Sequence, residues 1–243
     1  MNQSMAGGAT ANATASRQVP PPGKGITVGV ITKLLVTGAV LALAVGFVIR
    51  YVFRYYLNYN ESAFTDPVRG APNFWAMRGW LLMHMSAGMV ALLSGPWQFW
   101  TGFRKRYARL HRWTGRIFLC AIVIGSIGGF RMALGTSLGW AGATSLIALN
   151  VAWVATAAVA YYAIRSGYVE FHKEWMARAY IVTFAFVTFR LFNDYGPTSQ
   201  LQPDSERIIT MVWLSWVVPL LAADVIFQLR KMRVPRAAAR VKP

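Results

Sequence analysis

Long apolar runs separated by short charged segments constrain this chain more than any other feature of its sequence. Six of the runs are long enough to cross a lipid bilayer, which takes roughly 20 apolar residues, and they lie near residues 27–49, 78–100, 113–134, 139–163, 176–194 and 208–229. Backbone groups in lipid must be satisfied within their own segment, so runs of this length predict helices. The third and fourth runs are joined only by GTSLGW and therefore predict a hairpin. We predict an all-α integral membrane bundle of six transmembrane helices.

The segments outside these runs differ from them in composition. Hydrophobic residues make up 56% of the 243-residue chain, which is more than a soluble domain of this length needs. Residues 1–25 are instead rich in Ala, Gly, Ser, Thr, Asn and Pro, and such a segment buries too little apolar surface to offset the entropy of ordering. We expect a disordered tail at 1–25, a transmembrane domain at 26–230 and a basic tail at 231–243.

Charge placement predicts the orientation of the helices. Eighteen of the 25 lysines and arginines fall on one side of the predicted bundle, in the two tails and in the loops after the second and fourth runs. Because basic residues favour the cytoplasmic side, both termini are predicted to be cytoplasmic. A net charge of +17 would also suit nucleic acid, but the charges lie between apolar runs rather than on amphipathic elements. We therefore expect the bilayer and its anionic lipid headgroups as partners, and no nucleic acid.

Two similar motifs, RLHRWTGR at 109–116 and EFHKEWMAR at 170–178, each precede an apolar run. Each places a histidine, His111 or His172, before a tryptophan and an arginine that are three residues apart and so share a helix face. One interpretation is positional, because tryptophan belts the membrane interface and arginine extends to the headgroups. The other is functional: the two histidines would hold one haem b iron axially, or would form an anionic-ligand site with Arg112, Arg116 and Arg178.

The third histidine, His84, lies between two methionines in LLMHMSAGM. Thioether and imidazole ligands would suit copper(I), but Met83 and Met85 point roughly 200° apart on a helix, so we favour methionines packed around a buried histidine. His84 also lies roughly 9 Å into the second run from its outer side. That depth predicts that it is too far from His111 and His172 to share an iron with either, which allows at most one bis-histidine haem.

Charged residues within or at the ends of the runs are further candidates, because ionisable groups in a membrane are functional hypotheses by default. Asp224, in the sixth run, is predicted to pair with Arg116 or Arg178, either as a structural ion pair or as part of a site. An outer polar site is the other candidate, and it would combine His84 with two arginines at outer helix ends, Arg131 and Arg190.

Two residues within the runs predict local structure. Asn150, in the fourth run, is expected to hydrogen-bond to a neighbouring helix. Pro96, in SGPWQFW, is expected to kink or end the second helix.

An ordered set of elements between about residues 80 and 225 resembles a known family. In sequence order these elements are His84, GPWQF at 95–99, LHRWTGR at 110–116, Trp153, HKEWMAR at 172–178, Arg190 and the segment 213–216. The set resembles the bacterial membrane-protein family called domain of unknown function 2306. The resemblance implies a multi-helix protein of the bacterial cytoplasmic (inner) membrane, and it implies no particular reaction.

The sequence leaves three functions open. The first is an integral membrane protein whose basic cytoplasmic face binds anionic lipid or a partner protein. The second is an electron-transfer protein with one haem b between His111 and His172. The third is a small-molecule transporter or sensor that uses His84, Arg131 and Arg190. No glycine-rich phosphate loop and no HExxH motif occur, and no catalytic residue is assigned.

Overall fold

The computed structural model of the chain describes residues 28–64, 74–99, 106–196 and 204–233. Two compact units divide after Val36, and the second, residues 37–243, holds the rest of the first helix and all later helices. All regular structure in the described ranges is helical, without a strand, as the apolar runs predict. The tail predicted at 1–25 and most of that predicted at 231–243 lie outside these ranges.

Nine α-helices follow one another in the described part of the chain. They are α1 (Val28–Phe47), α2 (Phe53–Leu57), α3 (Glu61–Phe64), α4 (Arg78–Phe99), α5 (Ala108–Leu134), α6 (Gly139–Arg165), α7 (Val169–Thr183), α8 (Ala185–Tyr195) and α9 (Asp204–Arg233), with a π-helical turn at Val48–Val52 between α1 and α2. The predicted hairpin is present, because only a short turn separates α5 from α6.

Four helical stretches in the described residues are long and apolar enough to cross a membrane: Leu34–Leu57, Ala108–Leu134, Gly139–Arg165 and Ser205–Met232. Helices α7 and α8 make a fifth if the pair, which bends by 41°, is one span. Helix α4 covers the second predicted span with 22 residues but is not among them. The count of six spans therefore stays a prediction, as does the side of the membrane on which the termini lie.

Side-chain contacts at both ends show that α4 and α5 pack antiparallel. Near the end of α4, Gln98 Nε2 donates to Thr114 Oγ1 over 2.5 Å. Just before the start of α4, the Met77 sulfur lies 3.9 Å from Nη1 of Arg131. Two opposite ends of the bundle can therefore be distinguished. We call the end with the starts of α5 and α7 the Arg178 end, and the opposite end the Arg190 end.

The first span extends further than the sequence predicts. Its predicted boundary lies near residue 49, but the helix passes through the π-helical turn Val48–Val52 and continues to Leu57. A π turn widens the helix locally and changes the direction in which its side chains project. Val48 and Val52 are buried by this turn, and they pack in one apolar cluster with Ala44, Leu92 and Val187.

Pro96 lies inside α4 and removes one backbone hydrogen bond from that helix. Proline has no N–H, so the carbonyl four residues earlier, that of Leu92, loses its helical partner. The Tyr180 hydroxyl donates to this carbonyl over 3.1 Å. Gly95 makes the approach possible, because a Cβ there would lie 2.0 Å from the Tyr180 ring. The sequence predicted a kink or an end at Pro96, and the described helix continues past it to Phe99.

Candidate functional site

A cavity of about 280 Å³ lies among the π-helical turn, α4, α5, α6 and the bend between α7 and α8. Most of its lining is apolar, with aromatic rings, methionines and aliphatic side chains from all of these elements. Seven residues with polar side-chain groups also line it, namely Tyr51, Tyr55, His84, Asn150, Trp153, Thr183 and Arg190. We call this the His84 cavity. An apolar cavity with a few placed polar groups is the usual form of a small-molecule site.

Glycines on α5 allow α4 to come close enough to position His84. A Cβ at Gly128 would lie 2.7 Å from the backbone oxygen of Trp80 and 3.1 Å from Cβ of His84. A Cβ at Gly125 would lie 3.1 Å from the Trp153 ring. Small residues at such a contact let two helix backbones approach, as is common between helices in membranes. The sequence GSIGG on α5 therefore determines where His84 lies.

The close approach fixes the tautomer of His84. Its Nδ1 lies 2.8 Å from the carbonyl oxygen of Gly125. A carbonyl oxygen only accepts, so Nδ1 carries the proton and Nε2 has the lone pair in the neutral ring. The rings of Trp153 and Phe186 stand edge-on to the imidazole, with centroids 6.1 and 6.3 Å away. His84 is thus held in one orientation on the cavity wall.

Two other polar residues of the cavity bond to neighbouring helices. Asn150, which is buried, donates from Nδ2 to the carbonyl oxygen of Ser126 over 2.9 Å. Thr183 accepts from Trp153 Nε1 over 2.8 Å, and its hydroxyl donates to Ala179 over 2.8 Å. The interhelical hydrogen bond predicted for Asn150 is therefore present. The bonds of Asn150 and Trp153 tie α6 to α5 and to α7 around the cavity, and the bond from Thr183 to Ala179 lies within α7.

Tyr51 joins the π-helical turn to α8 at the Arg190 end of the cavity. Its hydroxyl donates to a carboxylate oxygen of Asp194. The guanidinium carbon of Arg190 lies 4.9 Å from the centroid of the Tyr51 ring, and Nε of Arg50 lies 3.2 Å from the Tyr51 oxygen. Asn193 donates to the other oxygen of Asp194 over 2.8 Å. This polar cluster borders the cavity on one side.

The predicted outer polar site is only partly assembled. His84 and Arg190 line the same cavity, but Arg131 is not part of its lining. The Arg131 side chain is exposed and contacts the sulfur of Met77. Met85 lines the cavity beside His84, whereas Met83 does not, as expected from their directions on a helix.

The two motif histidines lie near the starts of different helices. His111 is in the first turn of α5, which packs mainly on α4 and α6. His172 is in the first turn of α7, which packs mainly on α6, α9 and α4. The Nδ1 atom of His172 lies 2.8 Å from the carbonyl oxygen of Ala160 and donates to it. Haem ligation by this pair stays a prediction. Within the described residues, no group of three or more His, Cys, Asp or Glu side chains could hold a metal ion.

The ion pair predicted for Asp224 is present, and its partner is Arg178. Nε of Arg178 donates to the Asp224 carboxylate over 2.8 Å. The guanidinium lies between two rings, 4.8 Å from Trp175 and 4.9 Å from Phe227. Glu174 lies 3.8 Å from the guanidinium. Arg178 is therefore paired and packed by residues of the chain itself.

The corresponding arginine of the other motif has a different environment. Arg116 lies 5.3 Å from the centroid of the Trp113 ring, so both Trp–Arg pairs share a helix face as predicted. Arg112, Arg116 and Trp113 are all exposed on α5. The two sequence motifs thus have one local geometry but opposite burial.

Sequence analysis did not identify Tyr51, Thr183 or Gly129 as parts of a site. Tyr51 lies beyond the predicted end of the first span, and Thr183 stands at a bend that no proline marks. The glycines of α5 did carry a signal: positions 125, 128 and 129 recur at helical spacing and so form a small-residue face.

Comparison with known proteins agrees with this membrane architecture. The family described as "Predicted membrane protein (DUF2306)" matches residues 81–227, which include α4 from Leu81 onward and most of α9. No curated protein and no solved structure matches the chain. The matched region holds His84, Asn150 and Arg190, as well as the Arg178–Asp224 pair. The chain belongs to this DUF2306 family of membrane proteins.

Proposed function

We propose that this protein binds a small, largely apolar molecule in the His84 cavity, as a transporter or a sensor in the membrane. The cavity itself is the observation that carries the proposal: it has a volume of about 280 Å³, an apolar lining and a histidine of fixed orientation. An apolar cavity of about 150 Å³ is enough to take benzene in another protein. The His84 cavity therefore has room for a substituted ring.

The backbone around the cavity supports the same proposal. Two interruptions of straight helix border it, the π-helical turn Val48–Val52 and the 41° bend between α7 and α8. Single π turns within helices are frequent at functional sites. Neither interruption is needed to span a membrane, so both are more easily explained by the space that they border.

Filling the cavity tests the proposal. A Cβ at Gly88, which lines the cavity, would meet nothing within 4 Å, so Gly88→Leu adds a side chain without a backbone clash. Gly79→Leu is the matched control, because Gly79 is also on α4, has equally open space and does not line the cavity. The measurement is equilibrium dialysis of radiolabelled toluene against protein in nanodiscs, with empty nanodiscs as the background.

We expect saturable toluene binding to the wild type and to Gly79→Leu, and at least a tenfold loss in Gly88→Leu, which occupies the same space. Equal binding by the two variants, or no saturable binding by the wild type, would reject the proposed function.

Electron transfer through one haem b is the second candidate. It is supported by His172, whose Nδ1 donates to a backbone carbonyl and leaves Nε2 for an iron, as ligating histidines usually do. Visible spectra of protein expressed with ample haem are the test. We expect a Soret band that is altered in His111→Ala and in His172→Ala but not in His84→Ala. A haem-free wild type would remove this candidate.

We also propose anionic lipid headgroups as a partner at the Arg178 end, on the cytoplasmic side of a bacterial inner membrane. The support is the start of α5, where Arg106, Arg109, Arg112 and Arg116 are all exposed. Each such residue near an anionic surface contributes about 1 kcal/mol. A reporter fused after residue 243 should be active only in the cytoplasm, and activity on the other side would reverse the orientation.

A further inference from the structure

We infer that the His84 cavity is selective for a ring that carries a hydroxyl group, in the manner of a phenol or a hydroquinone. This inference rests on the proposed function and adds the class of ligand. It is carried by two acceptor atoms that lie at one place on the cavity wall, on His84 and on Asn150.

The first acceptor is Nε2 of His84. Because Nδ1 donates to the carbonyl of Gly125 over 2.8 Å, the neutral ring has its lone pair on Nε2. The residue lines the cavity, and the edge-on rings of Trp153 and Phe186 restrict its rotation. A ligand that meets His84 therefore meets a hydrogen-bond acceptor.

The second acceptor is Oδ1 of Asn150. Its Nδ2 donates one of its two protons to the carbonyl oxygen of Ser126 over 2.9 Å, and its Oδ1 can accept from a ligand hydroxyl. Gly129 shows that this oxygen and His84 are neighbours. A Cβ at Gly129 would lie 3.2 Å from Asn150 Oδ1 and 3.2 Å from Nδ1 of His84. The amide of Asn150 and the ring of His84 are thus neighbours on the cavity wall.

Two donors near His84 are already paired within the protein. The indole N–H of Trp153 donates to Thr183, and the Thr183 hydroxyl donates to Ala179. A carbonyl, ether or carboxylate oxygen has no proton to donate to Nε2 of His84, and burying that nitrogen without a donor is costly. A hydroxyl supplies the missing donor and can accept in return.

The walls favour a ring rather than a chain. Gly88 and Gly129 line the cavity with bare backbone, and Trp153 and Phe186 line it with aromatic surface. Flat aromatic ligands gain specific stacked or edge-on contacts with such rings. The hydroxyl of a phenol projects from the edge of its ring and lies in the ring plane, so the apolar walls and the acceptor pair can be satisfied together.

The test compares three ligands that differ only at the hydroxyl: p-cresol, its methyl ether and toluene. Binding is measured by the same dialysis in nanodiscs. We expect p-cresol to bind about tenfold more tightly than its methyl ether, which corresponds to one net hydrogen bond. We also expect it to bind about tenfold more tightly than toluene. Similar affinities for all three, with binding still lost in Gly88→Leu, would overturn the inference and leave the proposed function intact.

Two variants assign the selectivity to the acceptor pair. His84→Phe keeps an aromatic ring but removes the acceptor, so the preference for p-cresol should fall below about threefold while toluene still binds. Gly129→Ala adds a methyl group between Asn150 Oδ1 and the His84 ring and should weaken p-cresol more than toluene. The second variant remains informative if the first does not fold. A preference that survives in Gly129→Ala would place the hydroxyl elsewhere.

Discussion

The Arg178 end and the Arg190 end of the protein contain similar residues in different surroundings. At each end an arginine of the bent pair α7–α8 lies against an aromatic ring near a carboxylate. Asp224 bonds directly to Arg178, whose side chain is only 11% exposed and lies between two rings. Asp194 accepts from Tyr51, and Arg190 lines a cavity.

The difference separates a structural ion pair from a candidate binding site. A buried charge that is paired inside the chain stabilises a particular arrangement but offers little to a ligand. At the Arg190 end, the hydroxyl of Tyr51 donates to Asp194, and the π turn and the helix bend border a cavity that Arg190 lines. The two ends therefore contain the same types of residue and differ in how those residues are packed.

Replacing Arg178 with alanine gives the largest expected effect, and the same replacement at Arg190 tests the difference between the two ends. Arg178→Ala leaves Asp224 without its partner and empties the space between Trp175 and Phe227, so we expect a loss of about 3–5 kcal/mol in stability. Arg116→Ala is the matched control from the other Trp–Arg motif. Its side chain is exposed, so the loss should be below about 1 kcal/mol.

Thermal unfolding in one detergent measures both variants beside Arg190→Ala. Arg190→Ala should destabilise less than Arg178→Ala. If it destabilises as much, Arg190 is also structural, and the contrast between the two ends is wrong.

The close contact between α4 and α5 gives the next largest effect. Gly128→Ala would place a methyl group 2.7 Å from a backbone oxygen of α4, and overpacking against rigid backbone costs about 1–3 kcal/mol. Gly79→Ala is the control, because a Cβ there meets nothing within 4 Å and alanine favours a helix. Its thermal midpoint should be unchanged or higher.

The Gly128→Ala variant also tests whether the contact between α4 and α5 positions His84 for binding. If α4 shifts, His84 loses its carbonyl partner on α5, and the preference for p-cresol should fall with stability. An unchanged midpoint for Gly128→Ala would mean that α4 and α5 do not approach as closely as described.

The sequence predicted the helices well and the site only in part. Length and apolar content suffice to place helices in a bilayer, so all six predicted segments are helical in the described residues. The extension of the first span to Leu57 and the bend at Phe184 were not predicted. Both depend on contacts with other helices, and no proline or glycine marks them.

Polar contacts between helices were easier to predict from the sequence than the His84 cavity. Asn150 and Asp224 were each expected to bond to another helix, because an unsatisfied polar group in lipid is costly, and both do. The cavity is formed by residues of eight helical elements together, and no single segment contains that information. The sequence places Arg131 and Arg190 alike at outer helix ends, yet of these two arginines only Arg190 lines the cavity.

The backbone of α4 near the Arg178 end gives the smallest expected effect. Tyr180→Phe removes the donor to the Leu92 carbonyl that Pro96 leaves without a helical partner. The cost should be about 1 kcal/mol, the net value of one such bond. In a Pro96→Ala background the new backbone amide at position 96 can donate to Leu92 instead, so the cost of Tyr180→Phe should be smaller there.

Thermal unfolding of the four proteins in this cycle gives the coupling energy, which is expected to be at least about 0.5 kcal/mol. Additive effects would mean that the Tyr180 hydroxyl does not replace the helical hydrogen bond. A coupling of the expected sign would show that the Arg178 end satisfies even its backbone from within the chain. The acceptor groups of His84 and Asn150, near the other end, instead line a cavity.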